Sequence, residues 1–250
     1  MLFPDRRLSI DPEFPYVYET HLHTCEASAC ARSSGADMAR ACKEAGYTGV
    51  FVTDHFVYGN TAIDRCLPWE NWVNGFCKGY EHAKQEGDRI GLQVFFGWEA
   101  CYHGTEFLIF GLSKEWLLAH PEIRDCTIEE QYRLIHQDGG MVVHCHPYRE
   151  ESYIPEIRLF PEYTDAVETV NATHCSRFSR SHNNPLFDER AHEYAKAHNF
   201  PVTAGSDIHR IDLLLGGTAF QRPLSDAQDF IRAVMNREPS RLLTGNEGQA

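Results

Sequence analysis

The strongest constraint on the fold of this chain is the regular alternation of short apolar runs with longer segments of helical periodicity. The apolar runs predict strands at residues 16–20, 48–53, 92–98, 106–110, 141–144, 166–171, 200–204 and 217–220. The periodic segments predict helices at residues 36–45, 69–86, 128–137, 185–198 and 225–236. Strands that alternate with helices favour parallel pairing in an α/β fold, and seven or eight such strands indicate a barrel.

Chain length and charge narrow the class of protein further. The 250 residues show no compositional break, so we expect one domain over residues 1–250, with an N-terminal extension at 1–15 and a frayed tail at 241–250. The 23 Lys and Arg against 36 Asp and Glu give a formal net charge of −13. This charge disfavours binding to long nucleic acids and acidic membranes, although the field inside a pocket can differ.

The N-terminal segment and the cysteines indicate a compartment. Residues 1–19 contain no uninterrupted apolar run, and no stretch approaches the roughly 18 apolar residues of a membrane-spanning helix. The nine cysteines are odd in number and form no C-x-x-C pair, which favours reduced thiols over a disulfide framework. The expected location is therefore cytoplasmic.

Side chains capable of chemistry are concentrated in five short segments, each close behind a predicted strand. These segments are HLHTCE at 21–26, TDH at 53–55, GWE at 97–99, HCHP at 144–147 and GSDIH at 205–209. In an α/β barrel, residues just beyond the carboxyl ends of the strands converge on one face. The five segments are therefore expected to form one site, although they are far apart in sequence.

The spacing of histidines in these segments predicts bound metal. His21 and His23 are separated by one residue, so at a strand end both imidazoles lie on the same side, as a metal chelate requires. Asp207 and His209 repeat this spacing behind two small residues. The other histidines that follow strands in this way are His55 and His146.

Glu99 ends the apolar run LQVFFGW, where an unpaired carboxylate would be costly to bury. It therefore needs a cation. Because a carboxylate has two oxygens and can bridge two ions, Glu99 is predicted to be the shared ligand of a binuclear centre. The alternative is a structural Glu paired with an arginine.

In this order, the five segments resemble the PHP (polymerase and histidinol phosphatase) superfamily over roughly residues 21–209. HLHT is similar to its first motif, TDH to its second, the HP of HCHP to its third and SDIH to its fourth. GWE supplies the carboxylate usually found between the second and third motifs. The resemblance implies a single-domain, distorted (β/α)7 TIM-like barrel and a centre of two or three divalent ions that hydrolyses phosphoesters with metal-activated water.

The resemblance also implies how the ligands are shared among the ions. Those that resemble the ligands of one ion are His21, His23, Glu99 and Asp207. Glu99 would bridge to a second ion, held also by His146. A third ion would be held by His55 and His209.

Two positions depart from the family pattern. The Asp or His that usually completes the third site is absent at Ala29, and Glu26 is the residue expected to replace it. A strand histidine usual after the GWE segment is replaced by Leu108. Either Glu106, which faces the same side of that strand, or His103 is expected to complete the second site.

Other residues in and after these segments are predicted to support the ligands or to contact substrate. Asp54 is expected to orient a histidine or cap its turn, and His144 to be a ligand or a hydrogen-bonding partner of one. Cys25 and Cys145 alternate away from the neighbouring histidines and are expected to pack, so no cysteine ligand is expected. The candidate phosphate-binding residues, for which surface ion pairs are the alternative, are Arg149, His174, Arg177 and Arg180.

The expected activity is that of a metal-dependent phosphoric ester hydrolase acting on a small phosphomonoester, such as a nucleotide or a histidinol-phosphate-like metabolite. The expected catalytic residues are Asp207, Glu99 and His209. Mixed histidine and carboxylate ligands suit Zn, Mn or Fe. The alternatives are an exonuclease on short oligonucleotides, a metal-dependent C–N hydrolase and a non-catalytic metal-binding regulatory module. The oligomeric state stays open.

Overall fold

A computed structural model describes residues 7–247, which contain nine strands and eight α-helices. The strands are β1 (Tyr16–Leu22), β2 (Gly49–Val52), β3 (Gln93–Tyr102), β4 (Thr105–Phe110), β5 (Met141–His144), β6 (Ala166–Asn171), β7 (Val202–Gly205), β8 (Gly216–Phe220) and β9 (Ser240–Thr244). The helices are α1 (Gly35–Ala45), α2 (Trp69–Phe76), α3 (Lys78–Ile90), α4 (Lys114–Ala119), α5 (Ile128–Gln137), α6 (Ala172–Cys175), α7 (Leu186–His198) and α8 (Ala227–Met235).

The strands form a single sheet in the order β7-β6-β5-β4-β3-β2-β1-β8-β9. Strands β1 to β3 pair in parallel, as do β5 to β7, and β4 runs antiparallel to both of its neighbours. Leu22, the last residue of β1, forms a parallel bridge with Ile208, just beyond β7, and Thr20 Oγ1 donates to the Ala204 carbonyl oxygen at 2.8 Å. The sheet is thus a nearly closed barrel, which confirms the predicted α/β barrel class.

Local sequence sets the helix ends. Helix α1 begins after Ser34, whose hydroxyl accepts from the Asp37 N–H, and ends at Gly46 with a left-handed φ of 102°. The predicted helix at 69–86 is divided into α2 and α3 at Cys77. Gly79, in the first turn of α3, is needed for close approach because a Cβ there would lie 1.8 Å from Thr24 Oγ1. Helix α3 therefore supports the loop that follows β1.

An apolar core packs behind β2, β3 and β4. The rings of Phe51, Phe110 and Phe230 lie with centroids 4.7 to 5.2 Å apart, so α8 is held against the sheet by aromatic contacts. The charged residues of the five segments are excluded from this packing. Within the part of the chain that the structure describes, no helix combines the length and apolar character needed to cross a membrane.

The C-terminal region differs from its prediction. Residues 241–244 belong to β9, which pairs with β8 from Gly216 opposite Thr244 to Phe220 opposite Ser240, so the expected frayed tail is wrong there. The reason is that backbone pairing with β8 fixes a segment whose side chains are mostly polar. The predicted extension at 1–15 and tail at 241–250 extend outside the described residues at 1–6 and 248–250.

Candidate metal centre

The barrel brings most of the predicted ligands to one place. Those that join groups of donor atoms within 4.8 Å of one another are His21, His23, His55, Glu99, Glu106, His146, Asp207 and His209. The histidines and Asp207 lie at or just beyond the ends of parallel strands, and the two glutamates lie within β3 and β4. The expected convergence of segments distant in sequence is therefore observed.

The Glu99 carboxylate lies at the centre of this cluster. Its Oε1 is 3.2 Å from His21 Nε2 and 3.1 Å from His146 Nε2. Its Oε2 is 2.5 Å from His55 Nδ1 and 3.8 Å from His23 Nε2. One carboxylate thus faces four imidazoles, two from each oxygen, which is the arrangement expected of a bridging ligand.

Several of these buried atoms lack hydrogen-bond partners. The orphaned atoms of the cluster are His21 Nε2, His23 Nε2, His55 Nδ1 and Glu99 Oε2. Buried polar atoms in folded proteins almost always find a partner. Here they lie at ion-pair distance from one another without hydrogen-bond geometry. Nitrogen and carboxylate donors that face a common point fit a divalent cation, so the residues present suit a metal centre.

Hydrogen bonds around His23 fix which of its nitrogens faces the cluster. The Ser28 hydroxyl donates to Asp54 Oδ1 at 2.6 Å, so at 3.2 Å it can only accept from His23 Nδ1. The proton of this ring is therefore on Nδ1, and the Nε2 lone pair faces the carboxylates. Burial, together with the neighbouring His55 and His209, lowers the pKa of His23 well below its ordinary value. A neutral imidazole in this tautomer can bind a metal ion through Nε2.

Asp54 supports the ligands, as expected, without joining them. It accepts from the Thr24 N–H and the Thr24 hydroxyl at 2.6 Å each, and from the Ser28 hydroxyl. Ser28 Oγ in turn accepts from the His55 backbone N–H at 3.0 Å. Asp54 therefore caps the turn after His23 and fixes the start of the His55 segment.

The charges of the central carboxylates are set by their neighbours. Burial acts to raise the pKa of Glu99, but the His55 and His21 rings hold it well below its ordinary value. Burial likewise opposes ionisation of Asp207, yet the Arg149 guanidinium and His21 hold its pKa well below the usual range. Both groups are therefore anionic at neutral pH, the state in which a carboxylate binds metal.

Two buried acids that the sequence analysis missed hold the first ligand in place. Glu168 Oε1 lies 3.0 Å from His21 Nδ1, and its Oε2 accepts from the His146 N–H at 3.2 Å. Glu19 Oε1 accepts from the N–H groups of His21 and Ser206 at 2.9 Å each, and burial raises the pKa of this acid to about 7. The sequence signal that could have found them is a single acidic residue within an apolar strand: Glu19 in YVYETHL and Glu168 in AVETVN.

Glu26 does not join the cluster, which corrects its predicted role as a ligand. Its carboxylate accepts from the Gly35 N–H at 3.1 to 3.2 Å and lies 2.9 Å from His82 Nδ1. Gly35 is the first residue of α1, whose unpaired N–H groups attract a carboxylate. The Glu26 carboxylate is therefore bound at the N-terminus of α1.

The structure distinguishes the two residues that the sequence offers for the second site, Glu106 and His103, by their positions. Glu106 Oε2 lies 3.7 Å from His146 Nε2, whereas His103 lies at the turn after β3 and joins none of the donor groups. The His144 ring packs on Phe107 with centroids 4.7 Å apart and also stays outside the groups. Glu106 is therefore the residue that the structure brings to the cluster.

A cysteine lies where the sequence analysis expected none. Cys30 Sγ is 3.2 Å from His55 Nε2. Burial acts to raise the pKa of this thiol, but the His209 and His55 rings lower it to about 6. Of the two cysteines expected to pack, Cys145 is buried and Cys25 is exposed.

Arg149 is held by a chain of buried side chains. Its Nη2 lies 2.7 Å from Asp207 Oδ2, and its Nε donates to His174 Nε2 at 3.0 Å. Since His174 Nε2 accepts, its proton is on Nδ1, which lies 2.7 Å from Asp188 Oδ1. His174 is fully buried and therefore positions Arg149 instead of contacting substrate, which corrects its predicted role.

The other two arginines predicted to bind phosphate, Arg177 and Arg180, are exposed. Arg180 lines a smaller cavity beside His209, in the position of a possible anion contact. The Arg177 guanidinium carbon lies 4.9 Å from the Phe178 ring centroid, and Arg177 lines neither of the two cavities described here. The structure thus places Arg149 at the larger of these cavities and Arg180 at the smaller one.

The cluster borders a cavity of about 1020 Å³. The charged and histidine side chains that reach it from the centre are His55, Glu106, Arg149, Asp207 and His209. Aromatic walls are provided by Tyr58, Tyr102 and Tyr153. This volume is at the upper end of the range of small-molecule sites.

The fold and the donor cluster together define an α/β barrel with a candidate centre for several divalent ions. A family profile described as PHP-associated matches residues 185–239. No curated protein sequence matches the chain. The profile match confirms, over about a fifth of the chain, the resemblance to the PHP superfamily that the motifs predicted.

Solved structures share the fold at low sequence identity. A two-domain protein from Bacteroides vulgatus that contains a predicted PHP-like metal-dependent phosphoesterase is 14% identical with a TM-score of 0.67, over 96% of this chain and 69% of that one. PsfC from Pseudomonas syringae is 20% identical with a TM-score of 0.60, over 91% of each chain. An amidohydrolase from Chromobacterium violaceum with bound sulfate and no metal is 13% identical with a TM-score of 0.52, over 77% of this chain and 87% of that one.

Proposed function

We propose that this protein is a metal-dependent phosphoesterase that hydrolyses a small phosphomonoester. The observation that carries the proposal is the convergence of orphaned nitrogen and carboxylate donors beside a buried arginine at one cavity. Cationic centres and arginine are the groups that proteins use to bind phosphate. The sequence motifs and the shared fold support the same reaction class.

The proposed ligand sets are those implied by the family resemblance, and the distances are compatible with them. One divalent ion would be held by His21, His23, Glu99 and Asp207. A second would be held by Glu99, Glu106 and His146. A third would lie beside His55 and His209. Bound zinc, manganese or iron would supply Lewis-acid charge for phosphate oxygens and would acidify water.

Asp207 links the ligand set to the phosphate-binding side. Its Oδ1 lies 3.1 Å from His23 Nε2, while its Oδ2 lies 2.7 Å from Arg149 Nη2. Asp207 therefore orients the guanidinium, whose remaining N–H groups can donate to a phosphate oxygen in the cavity. His209 Nδ1 donates to the Asp207 carbonyl oxygen at 2.9 Å, which leaves its other nitrogen available as a ligand.

Cavity shape favours a small substrate over a polymer. The cavity would enclose a mononucleotide-sized molecule, and the exposed rings of Tyr58 and Tyr153 at its walls could stack on a planar group. The formal charge of −13 opposes an extended polyanion. We therefore rank a nucleotide or a similar ring-bearing phosphomonoester above an oligonucleotide.

The test is phosphate release by protein loaded with Zn, Mn or Fe, from mononucleotides, sugar phosphates and histidinol phosphate. Short oligonucleotides are assayed with an added 3′ or 5′ phosphatase, which frees phosphate from any nucleotide that is released. Asp207→Asn is compared with Asp229→Asn, the same change in a carboxylate that pairs with Arg222. We expect release from one class of small phosphomonoester, lost in Asp207→Asn and retained in Asp229→Asn.

Other outcomes would overturn the proposal. Release from oligonucleotides alone would indicate an exonuclease, and hydrolysis of amides without phosphate release would indicate a C–N hydrolase. Silence of the fully loaded protein on every substrate would indicate a non-catalytic metal-binding module. Equal rates for Asp207→Asn and the wild type would remove Asp207 from the mechanism.

A further inference from the structure

The loop after β1 carries a thiol one residue beyond Ala29, the position at which the family pattern places a ligand. Cys30 follows Ala29, the position at which the family pattern lacks its Asp or His. Its Sγ lies 3.2 Å from His55 Nε2, and Cys30 and His209 line the same two cavities. The thiol therefore lies against the His55 ring, in the wall that His209 also lines.

Long-range hydrogen bonds hold this loop in place. The Ala29 N–H donates to the Asn60 carbonyl oxygen at 2.8 Å, and the Arg32 N–H donates to the His209 carbonyl oxygen at 2.8 Å. The chain on both sides of Cys30 is thus tied to the segments that carry the other donors. The position of the thiol is set by the fold as firmly as that of the histidines.

We propose that Cys30 supplies a thiolate ligand to a metal subsite shared with His55 and His209, and that this subsite selects a soft divalent ion such as zinc. The inference rests on the proposed metal centre. Independently of the thiol, His23, His55 and His209 already bring donor atoms within 4.8 Å of one another. The one carboxylate that the sequence offered for this subsite, Glu26, is bound to the start of α1.

The donor chemistry sets the choice of ion. One thiolate with two or three imidazoles is a ligand combination typical of zinc, whereas oxygen ligands suit manganese and magnesium. Binding would release the thiol proton to solvent, because the thiolate is the coordinating form. Cys30, His55 and His209 all line the large cavity, so an ion there would be open to substrate.

Cobalt(II) reports the presence of a thiolate ligand directly, because sulfur-to-cobalt charge transfer absorbs in the near ultraviolet, apart from the visible bands of the ion. Metal-free protein is titrated with cobalt(II), and the metal content per chain is measured in parallel. We expect visible and near-ultraviolet bands in the wild type, and loss of the near-ultraviolet band in Cys30→Ser. The variant Cys30→Asp should restore the metal content without the band and shift the preference from zinc towards manganese.

Two cysteines provide matched controls. Cys25→Ser changes an exposed thiol of the same loop, and Cys145→Ser changes a buried thiol 3.6 Å from Glu99 Oε1. Both should keep the near-ultraviolet band. Visible bands without charge transfer in the wild type, or charge transfer that survives Cys30→Ser, would overturn the inference while leaving the metal centre intact. Failure of cobalt to bind at all would overturn both proposals.

Discussion

Two clusters of charged side chains in this molecule differ in whether their own partners satisfy them. Arg222 donates to both oxygens of Asp229 at 2.6 and 3.0 Å and to both oxygens of Glu238 at 2.9 Å. Asp229 also accepts from the Ser225 N–H at 2.9 Å. The metal-centre cluster is more deeply buried, yet it leaves Glu99 Oε2 and three imidazole nitrogens without hydrogen bonds.

The difference indicates what each cluster is for. A network in which each charge meets an opposite charge with good geometry contributes to the stability of the fold by itself. Buried polar atoms that point at one another without hydrogen bonds cost stability until a cation is added. The hydrogen bonds of the Arg222 cluster are therefore satisfied within the protein, whereas the donor atoms of the Glu99 cluster fit a cation from solution, as proposed above.

The largest expected effect comes from neutralising the centre of the incomplete cluster. Glu99→Gln removes the negative charge that faces His21 and His146, so kcat/KM for phosphoester hydrolysis should fall by about 10³-fold, as for loss of a major charge-stabilising group. Glu86→Gln, which changes a carboxylate paired with Arg89 on α3, should leave the rate unchanged. Wild-type kinetics at full metal content would show that Glu99 is not the shared ligand.

Ion binding should stabilise the folded protein through the Glu99 cluster and should not depend on the Arg222 cluster. At free ion about 1,000-fold above Kd, each site adds about 4 kcal/mol to the free energy of unfolding, which raises Tm by about 8–16 °C. Thermal unfolding with zinc and with a chelator should show this shift in the wild type and in Asp229→Asn. The shift should shrink in Glu99→Gln. An unchanged Tm across both conditions would contradict the comparison.

Close packing behind the ligands predicts a smaller effect. A Cβ at Gly205 would lie 2.6 Å from His21 Cβ and 2.8 Å from Glu168 Oε1, so Gly205→Ala must displace the first ligand or its partner. We expect a loss of about 1–3 kcal/mol in denaturant unfolding and weaker zinc binding. Gly75→Ala, where the new methyl group meets only ordinary contacts at 3.4 Å and beyond, should bind zinc normally. Equal zinc affinity in the two variants would show that His21 is not held this tightly.

The smallest effect concerns the satisfied cluster. Hydrogen bonds with Arg222 hold the pKa of Asp229 below its ordinary value of 3.8. Its contribution is therefore complete above that ordinary value and is lost as pH falls through the lower pKa of the folded state. Because the Arg222 side chain is 41% exposed, Asp229→Asn should cost about 0.5–1.5 kcal/mol at neutral pH and progressively less in acid, without loss of activity. A cost that stays constant down to acid pH would show that charge is not the cause.

Much of the fold could be predicted from the sequence because apolar runs have sharp polar boundaries. Strands β5 and β6 begin and end at the predicted residues, 141–144 and 166–171. The ligands at these strand ends could be predicted for the same reason, since parallel strands place their carboxyl ends together. His146, just beyond β5, depends only on that rule, whereas His21 lies within β1 and Glu99 within β3.

What could not be predicted depends on long-range contacts. Strand β9 has a mostly polar sequence and exists because β8 offers its edge. Glu26 was available as a ligand by composition, but the N–H of Gly35 binds it instead. Asp207 and His146 adopt left-handed backbone, with φ of 53° and 30°, which no local propensity favours for these residue types. The surrounding fold over-determines such positions.

The central claim is that the Glu99 cluster is a metal centre. Its most direct test is anomalous X-ray scattering from crystals of protein loaded with zinc, recorded on both sides of the metal absorption edge. The account predicts anomalous peaks beside both oxygens of Glu99, within bonding distance of His21 and His146. Crystals of fully loaded protein with peaks only at surface histidines, and none beside Glu99, would contradict it.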